Sequence, residues 1–191
     1  FPLGATYNTV KAPLDPQAGN RVSLGVEPGI SFGDGEASYT RITSSASTYR
    51  KISDRLVAAV RAEAGTFLGD EGVPVDRKFF AGGGGSVRGF EYQSLSPTDS
   101  DGNIIGGDAM FAASLELRWR KSERWGYVAF VDSGYAADSI DEAFGEMRTS
   151  FGLGVRFYPG FGPVRFDIAT PLDRRDGEDP LQIYVSIGQS F

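Results

Sequence analysis

The chain has 191 residues with no cysteine and no histidine, and it carries 25 Asp and Glu against 19 Lys and Arg. It therefore has no disulfide framework and no thiol nucleophile, and it lacks the commonest general base and catalytic metal ligand. The acidic balance opposes nucleic-acid binding, whose affinity rests on neutralising phosphates, and no apolar run approaches the ~20 residues of a membrane helix.

What composition favours is an all-β chain: 26 glycines, 14 phenylalanines and 8 tyrosines suit strands joined by tight bends. Residues 1–20 read as a preceding strand end, Thr6-Tyr7-Asn8, and its turn. From there period-two alternation sets in, the mark of strands with one apolar and one polar face. Residues 21–32 place Val22, Leu24, Val26, Ile30 and Phe32 opposite Arg21, Ser23, Gly25, Glu27 and Ser31. Residues 39–52 are a more polar candidate, and 56–67 carry Arg61 and Glu63. The cleanest is 111–120, with Phe111, Ala113, Leu115, Leu117 and Trp119 against Ser114, Glu116, Arg118 and Arg120.

Four more follow. Residues 127–135 carry Asp132, and 150–158 set Phe151, Leu153, Val155 and Phe157 against Ser150, Gly152, Gly154 and Arg156. Residues 164–168 set Val164, Phe166 and Ile168 against Arg165 and Asp167. The last strand sets Leu181, Ile183, Val185 and Ile187 against Gln182, Tyr184, Ser186 and Gly188. Eight candidate strands result, most of them matching the ~9–11 residues of a tilted membrane strand, a length that by itself also suits a soluble sandwich. Arginines, carboxylates and glycines share one face while aliphatics and aromatics fill the other, which fits a lipid-facing exterior and a hydrated lumen.

Connections repeat this pattern. From the second strand on they alternate short (53–55), very long (68–110), short (121–126), long (136–149), short (159–163) and medium (173–180), as outer-membrane barrels do. The first, at Gly33-Asp34-Gly35, is short where this rule wants a long one. Trp119, Trp125, Tyr127, Tyr158 and Phe161 flank the short turns, where an interfacial aromatic girdle belongs. The predicted fold class is an all-β, antiparallel, up-and-down transmembrane barrel over residues 21–191.

The longest connection contains Phe79-Phe80-Ala81-Gly82-Gly83-Gly84-Gly85-Ser86-Val87-Arg88-Gly89-Phe90. No Lys-Ser/Thr follows the glycines, so this is no phosphate loop; they read as slack that lets the chain fold back. An arginine carried into a lumen needs fixed acceptors on the wall, and Glu116 and Asp132 lie on adjacent strands on the polar face. A planar guanidinium can fork two carboxylates, which lysine does less well.

These motifs carry a resemblance. Val87-Arg88-Gly89-Phe90, the strand Ala112-Ala113-Ser114-Leu115-Glu116-Leu117-Arg118, the Phe130-x-Asp132-x-Gly134 strand motif and the run from Gly162 to Leu172 resemble, in order, the BamA/TamA outer-membrane assembly superfamily of the bacterial surface antigen type. The phenylalanine Phe191 resembles an outer-membrane insertion signal, and the Phe79 to Gly83 wording leans toward the TamA-like branch. The resemblance implies a sixteen-stranded barrel behind periplasmic POTRA domains, of which this chain offers the C-terminal half, so it reads as a fragment. It also implies an arginine, Arg88, held by Glu116 and Asp132, and an unstable seam at the last strand, with Gly188 its weak point.

Eight strands closing alone would leave a lumen only wide enough for side chains, so the loop would need the missing barrel half or another copy of the chain to make room. The function so implied is assembly or translocation at the outer membrane. Its partners would be the lipid bilayer and unfolded outer-membrane clients, with no nucleic acid, no cofactor, no metal and no enzymatic step. The alternatives are a two-partner-secretion-type transporter of a soluble passenger and a small passive eight-stranded barrel.

Overall fold

The computed structural model of the chain describes residues 1–31, 37–69, 72–159 and 162–191. Phe32, the Gly33-Asp34-Gly35 connection and Phe161 lie outside them. Nine strands form one antiparallel meander in which each pairs with its sequence neighbour: β1 (Leu3–Asn8), β2 (Gly19–Ser31), β3 (Ala37–Ser53), β4 (Leu56–Gly69), β5 (Ala109–Arg120), β6 (Trp125–Ala137), β7 (Arg148–Phe157), β8 (Val164–Pro171) and β9 (Gln182–Ile187). A short helix, α1 (Ile140–Gly145), stands between β6 and β7.

The count is nine rather than eight. The stretch read as a strand end is a full member, β1, paired from Leu3↔Val26 to Asn8↔Arg21. Leu3, Ala5 and Tyr7 do alternate with Gly4, Thr6 and Asn8, but the small Gly4 and Ala5 blunt the contrast between the faces. Among the described residues β1 and β9 do not pair, so the sheet stays open rather than closing on itself.

Burial decides which face is which. Along β5 the polar side chains Ser114, Glu116 and Arg118 are buried while Leu115, Leu117 and Trp119 are exposed. On β7, Arg156 is 0% exposed and Leu153 58%. A soluble sheet does the reverse. An apolar outer face with a charged inner face is the pattern of a wall against lipid, and the long loop between β4 and β5 fills the inner side. Trp119 and Tyr127 stack at 5.8 Å on the outer face, with Trp125 and Phe157 5.0 Å apart beside them. Tyr158 departs from the expected girdle: its ring packs 3.3 Å from the Arg120 guanidinium and its hydroxyl accepts a bond from Gln189 on the inner side.

Candidate functional site

The loop is a packed body rather than slack. Gly82 and Gly83 take φ of 107° and 89°, backbone that side chains with a Cβ avoid. The Gly83 N–H donates to Val87 O at 3.0 Å, and the Gly82 N–H to Ser86 Oγ at 2.9 Å. A Cβ on Gly82 would stand 2.6 Å from Glu91 O. The glycines thus make a tight, hydrogen-bonded turn that sequence alone presents as a flexible run. Behind it Val87, Phe90 and Leu95 form an apolar cluster with Ala112 of β5 and Ala136 of β6. Main-chain bonds from Leu95 N to Ala81 O and from Ala136 N to Leu95 O clip it to the wall.

Strand register prepares the wall. Ser114, Asp132 and Ser150 are level across β5, β6 and β7, and Glu116, Phe130 and Gly152 form the next row. Gly154, Asp167 and Tyr184 form a row across β7, β8 and β9. Into this grid the turn delivers Arg88, only 2% exposed. Its Nε donates to Asp132 Oδ2 at 2.7 Å and its Nη2 to Asp132 Oδ1 at 3.0 Å, a bidentate fork. Its Nη1 lies 2.8 Å from Glu116 Oε1 and 3.1 Å from Asp167 Oδ2. The Phe130 ring lies under the guanidinium at 3.4 Å, a cation–π contact. Burial opposes the Arg88 charge, but the hydrogen bond to Asp132 and the charges of Asp132, Glu116 and Asp167 outweigh it and raise its pKa.

The backbone around Arg88 is tied as firmly as its side chain. The Arg88 N–H donates to Asp132 Oδ2 at 3.1 Å, and Ser150 Oγ donates to the Arg88 carbonyl. Gly89 has φ of 96°, and a Cβ there would stand 2.6 Å from Ser150 Cβ. The Gly89 N–H donates to the Tyr184 hydroxyl at 2.9 Å, which itself donates to Phe90 O at 3.0 Å. Phe90 is buried with the Arg148 guanidinium 5.0 Å from its ring. Gly134 lets β5 approach, since a Cβ there would meet Phe111 O at 2.6 Å.

The structure thus brings Arg88, Glu116, Asp132 and Phe130 together, and adds residues the sequence reading left out. Asp167 is the third carboxylate, shared with Arg156 of β7. Ser114 donates to Asp132 Oδ1 at 2.6 Å. Gly152 and Gly154 supply room, for a Cβ at the first would strike the Phe130 ring and at the second the Asp167 carboxylate. Alternation had put all of them on the polar face; only the register across four strands makes them neighbours.

After Ile187 the chain turns inward at Gly188, whose φ is 91°. The Gly188 N–H donates to Pro163 O at 2.7 Å. Gln189 accepts from Arg156 Nε at 3.1 Å and donates to Asp15 Oδ1 at 3.0 Å. Ser190 Oγ donates to Glu116 Oε1 at 2.5 Å, and Arg118 Nη2 donates to Phe191 O at 3.3 Å. The Phe191 ring lies 6.1 Å from that of Tyr49 on β3. The tail beyond Gly188 therefore lies far from Arg88 in sequence yet connects to it through Glu116, directly at Ser190 and by way of Arg118 at Phe191.

An up-and-down sheet with lipid-facing aliphatics, charged inner rows and a loop tied to its inner wall by one arginine is the wall of an outer-membrane-type β-barrel. The family model of the Omp85 superfamily domain matches residues 1–191, and the chain belongs to the Omp85 superfamily. It is 36% identical over 152 residues to the outer membrane protein assembly factor BamA of Nitratidesulfovibrio vulgaris, a match covering 75% of this chain and 19% of that relative. Its fold matches the crystal structure of BamA from Haemophilus ducreyi lacking POTRA domains 1-3, with TM-score 0.78 and 22% identity over 98% of this chain and 41% of that one. The chain thus spans about a fifth of the curated relative. It is an outer-membrane protein; the relatives named are BamA proteins, and the TamA-like leaning of Phe79 to Gly83 is not decided by them.

Proposed function

We propose that this wall serves an outer-membrane protein assembly factor, aiding insertion of β-barrel or autotransporter proteins without bond-breaking chemistry. The observation that carries this reading is the edge of β9, whose outer backbone has no partner among the described residues. Free N–H and C=O groups on a strand edge recruit another strand by β-augmentation. The tied loop supports the same reading, because a fixed inner wall gives the edge something rigid to open against. In this role Val87, Arg88, Gly89 and Phe90 are the hook, Glu116 and Asp132 its catch, Phe130 and Gly134 its bed, Gly188 the hinge at the end of the seam strand and Phe191 the end of the tail beyond it. The relative named as an assembly factor agrees, while the open nine-stranded sheet counts against a small passive barrel.

The test reconstitutes the native-length protein in vesicles and follows folding of an urea-unfolded barrel client by its gel shift. Accelerated folding, lost when β9 is cross-linked to its neighbouring edge, is the expected result. Passage of a soluble passenger without any acceleration would overturn the assembly reading in favour of secretion.

A further inference from the structure

Between β6 and β7 the chain leaves the sheet for α1, a helix that alternation did not foretell. Ser139 caps it, its Oγ accepting the Glu142 N–H at 3.3 Å. The helix packs on β5 and β6, and Ala143 is wholly buried. The Phe144 ring lies 4.3 Å from that of Phe111. Phe111 shares its face of β5 with Leu115, Leu117 and Trp119, so α1 lies over the outer side of the wall, not the lumen. Even so, Phe144 stays 50% exposed and Met147 37%. Both would be unusual on a water-facing loop that could have buried them.

Height along the wall says what covers them. Trp119 and Phe111 are eight positions apart on β5, roughly 27 Å at ~3.4 Å per residue. At the ~35–45° tilt of barrel strands this is about 20 Å of height, close to the ~25 Å apolar band between the two aromatic girdles. The Trp119–Tyr127 stack marks one interface, so the Phe111–Phe144 pair stands near the other. The apolar side of α1 continues the lipid-facing surface, while Asp141, Glu142 and Glu146 are exposed.

We propose that α1 is an interfacial lipid anchor, with Phe144 and Met147 seated among the acyl chains of the leaflet at the long-loop end. With no basic residue from 138 to 147, it holds by apolar insertion and not by attraction to anionic headgroups. The anchor fixes the height of the β5–β6 wall that carries Glu116 and Asp132. The inference rests on the outer-membrane reading, and one experiment separates the two.

Spin labels are placed singly at Phe144→Cys, Met147→Cys, Asp141→Cys and Leu117→Cys in the native-length protein, with any cysteine outside residues 1–191 replaced by serine, and reconstituted in vesicles. Relaxation by oxygen is compared with relaxation by a water-soluble nickel chelate. Expected is oxygen preference at 144, 147 and 117, nickel preference at 141, and no change at 144 in high salt. Nickel preference at 144 and 147 with oxygen preference at 117 overturns the anchor and leaves the barrel reading intact. Protection of 144 and 147 from both reagents overturns it in favour of a protein cover. Nickel preference at 117 overturns the membrane-facing assignment itself, and the anchor with it.

Discussion

Arg88 engages three carboxylates, a serine hydroxyl and an aromatic face with a single guanidinium, a geometry that an ammonium cannot reproduce. Arg88→Ala would leave Glu116 and Asp132 buried without their shared counter-charge, so a loss of about 3–5 kcal/mol is expected. Urea titration read by the folded-to-unfolded gel shift checks it, and Arg88→Lys should fall between the two. Beneath the arginine, Gly152→Ala pushes a methyl group into the Phe130 ring, an overpacking of about 1–3 kcal/mol. Phe130→Leu in the same chain should recover part of that loss, so the pair should be non-additive in the same titration. At this scale the sequence made Arg88, Glu116 and Asp132 legible because charges on one face of adjacent strands need partners. Asp167 was equally visible as a polar-face residue, but its distance from Arg88 depends on β6, β7 and β8 being in register, and no local pattern encodes that.

The strands themselves are readable wherever bulky apolar side chains alternate with polar ones, even over the short stretches of β8 and β9, and β5 is nearly fixed by its own pattern. Elements with weak contrast escaped: β1, with its small Gly4 and Ala5, passes for a strand end, and α1, barely more than one turn, for loop. The turn at Gly82 and Gly83 shows the opposite difficulty, since glycine marks both freedom and tight backbone approach, and only the hydrogen bonds decide. The connection from β8 to β9 is held by Arg148, which bonds Asp173 at 2.6 Å and Glu178 at 3.0 Å. The hydrogen bond from Arg148 lowers the Glu178 pKa from the ordinary 4.5, outweighing its slight burial. A carboxylate whose folded value lies below its unfolded one stabilises above the unfolded value and loses that contribution as pH falls through the folded one. Protection of residues 172–181 from hydrogen exchange should therefore be flat from neutrality to about pH 5 and decline below the ordinary carboxylate value. Glu178→Gln should flatten that decline and lower the plateau.

At the scale of the whole molecule the sheet ends in two edges, β1 and β9, that are unpaired among the described residues, both lined with exposed aliphatics such as Leu3 and Val185. Edges of this kind pair with whatever strand is offered. Residues 1–191 expressed alone in detergent should run larger than a monomer by light scattering; a stable monomer would mean that the edges find each other. The inward turn at Gly188 has a wider consequence, because Glu116 is held at once by Arg88 from the loop and by Ser190 from the tail. Two binding events that share one acceptor are thermodynamically linked, and linkage is reciprocal. A Ser190→Ala and Arg88→Lys double-mutant cycle would measure the term as a departure from additivity. Whatever the docked loop does to the hold on the tail, the docked tail does in equal measure to the hold on the loop, so a partner strand that draws out Phe191 resets the grip of the arginine hook some hundred residues earlier in the chain without touching it.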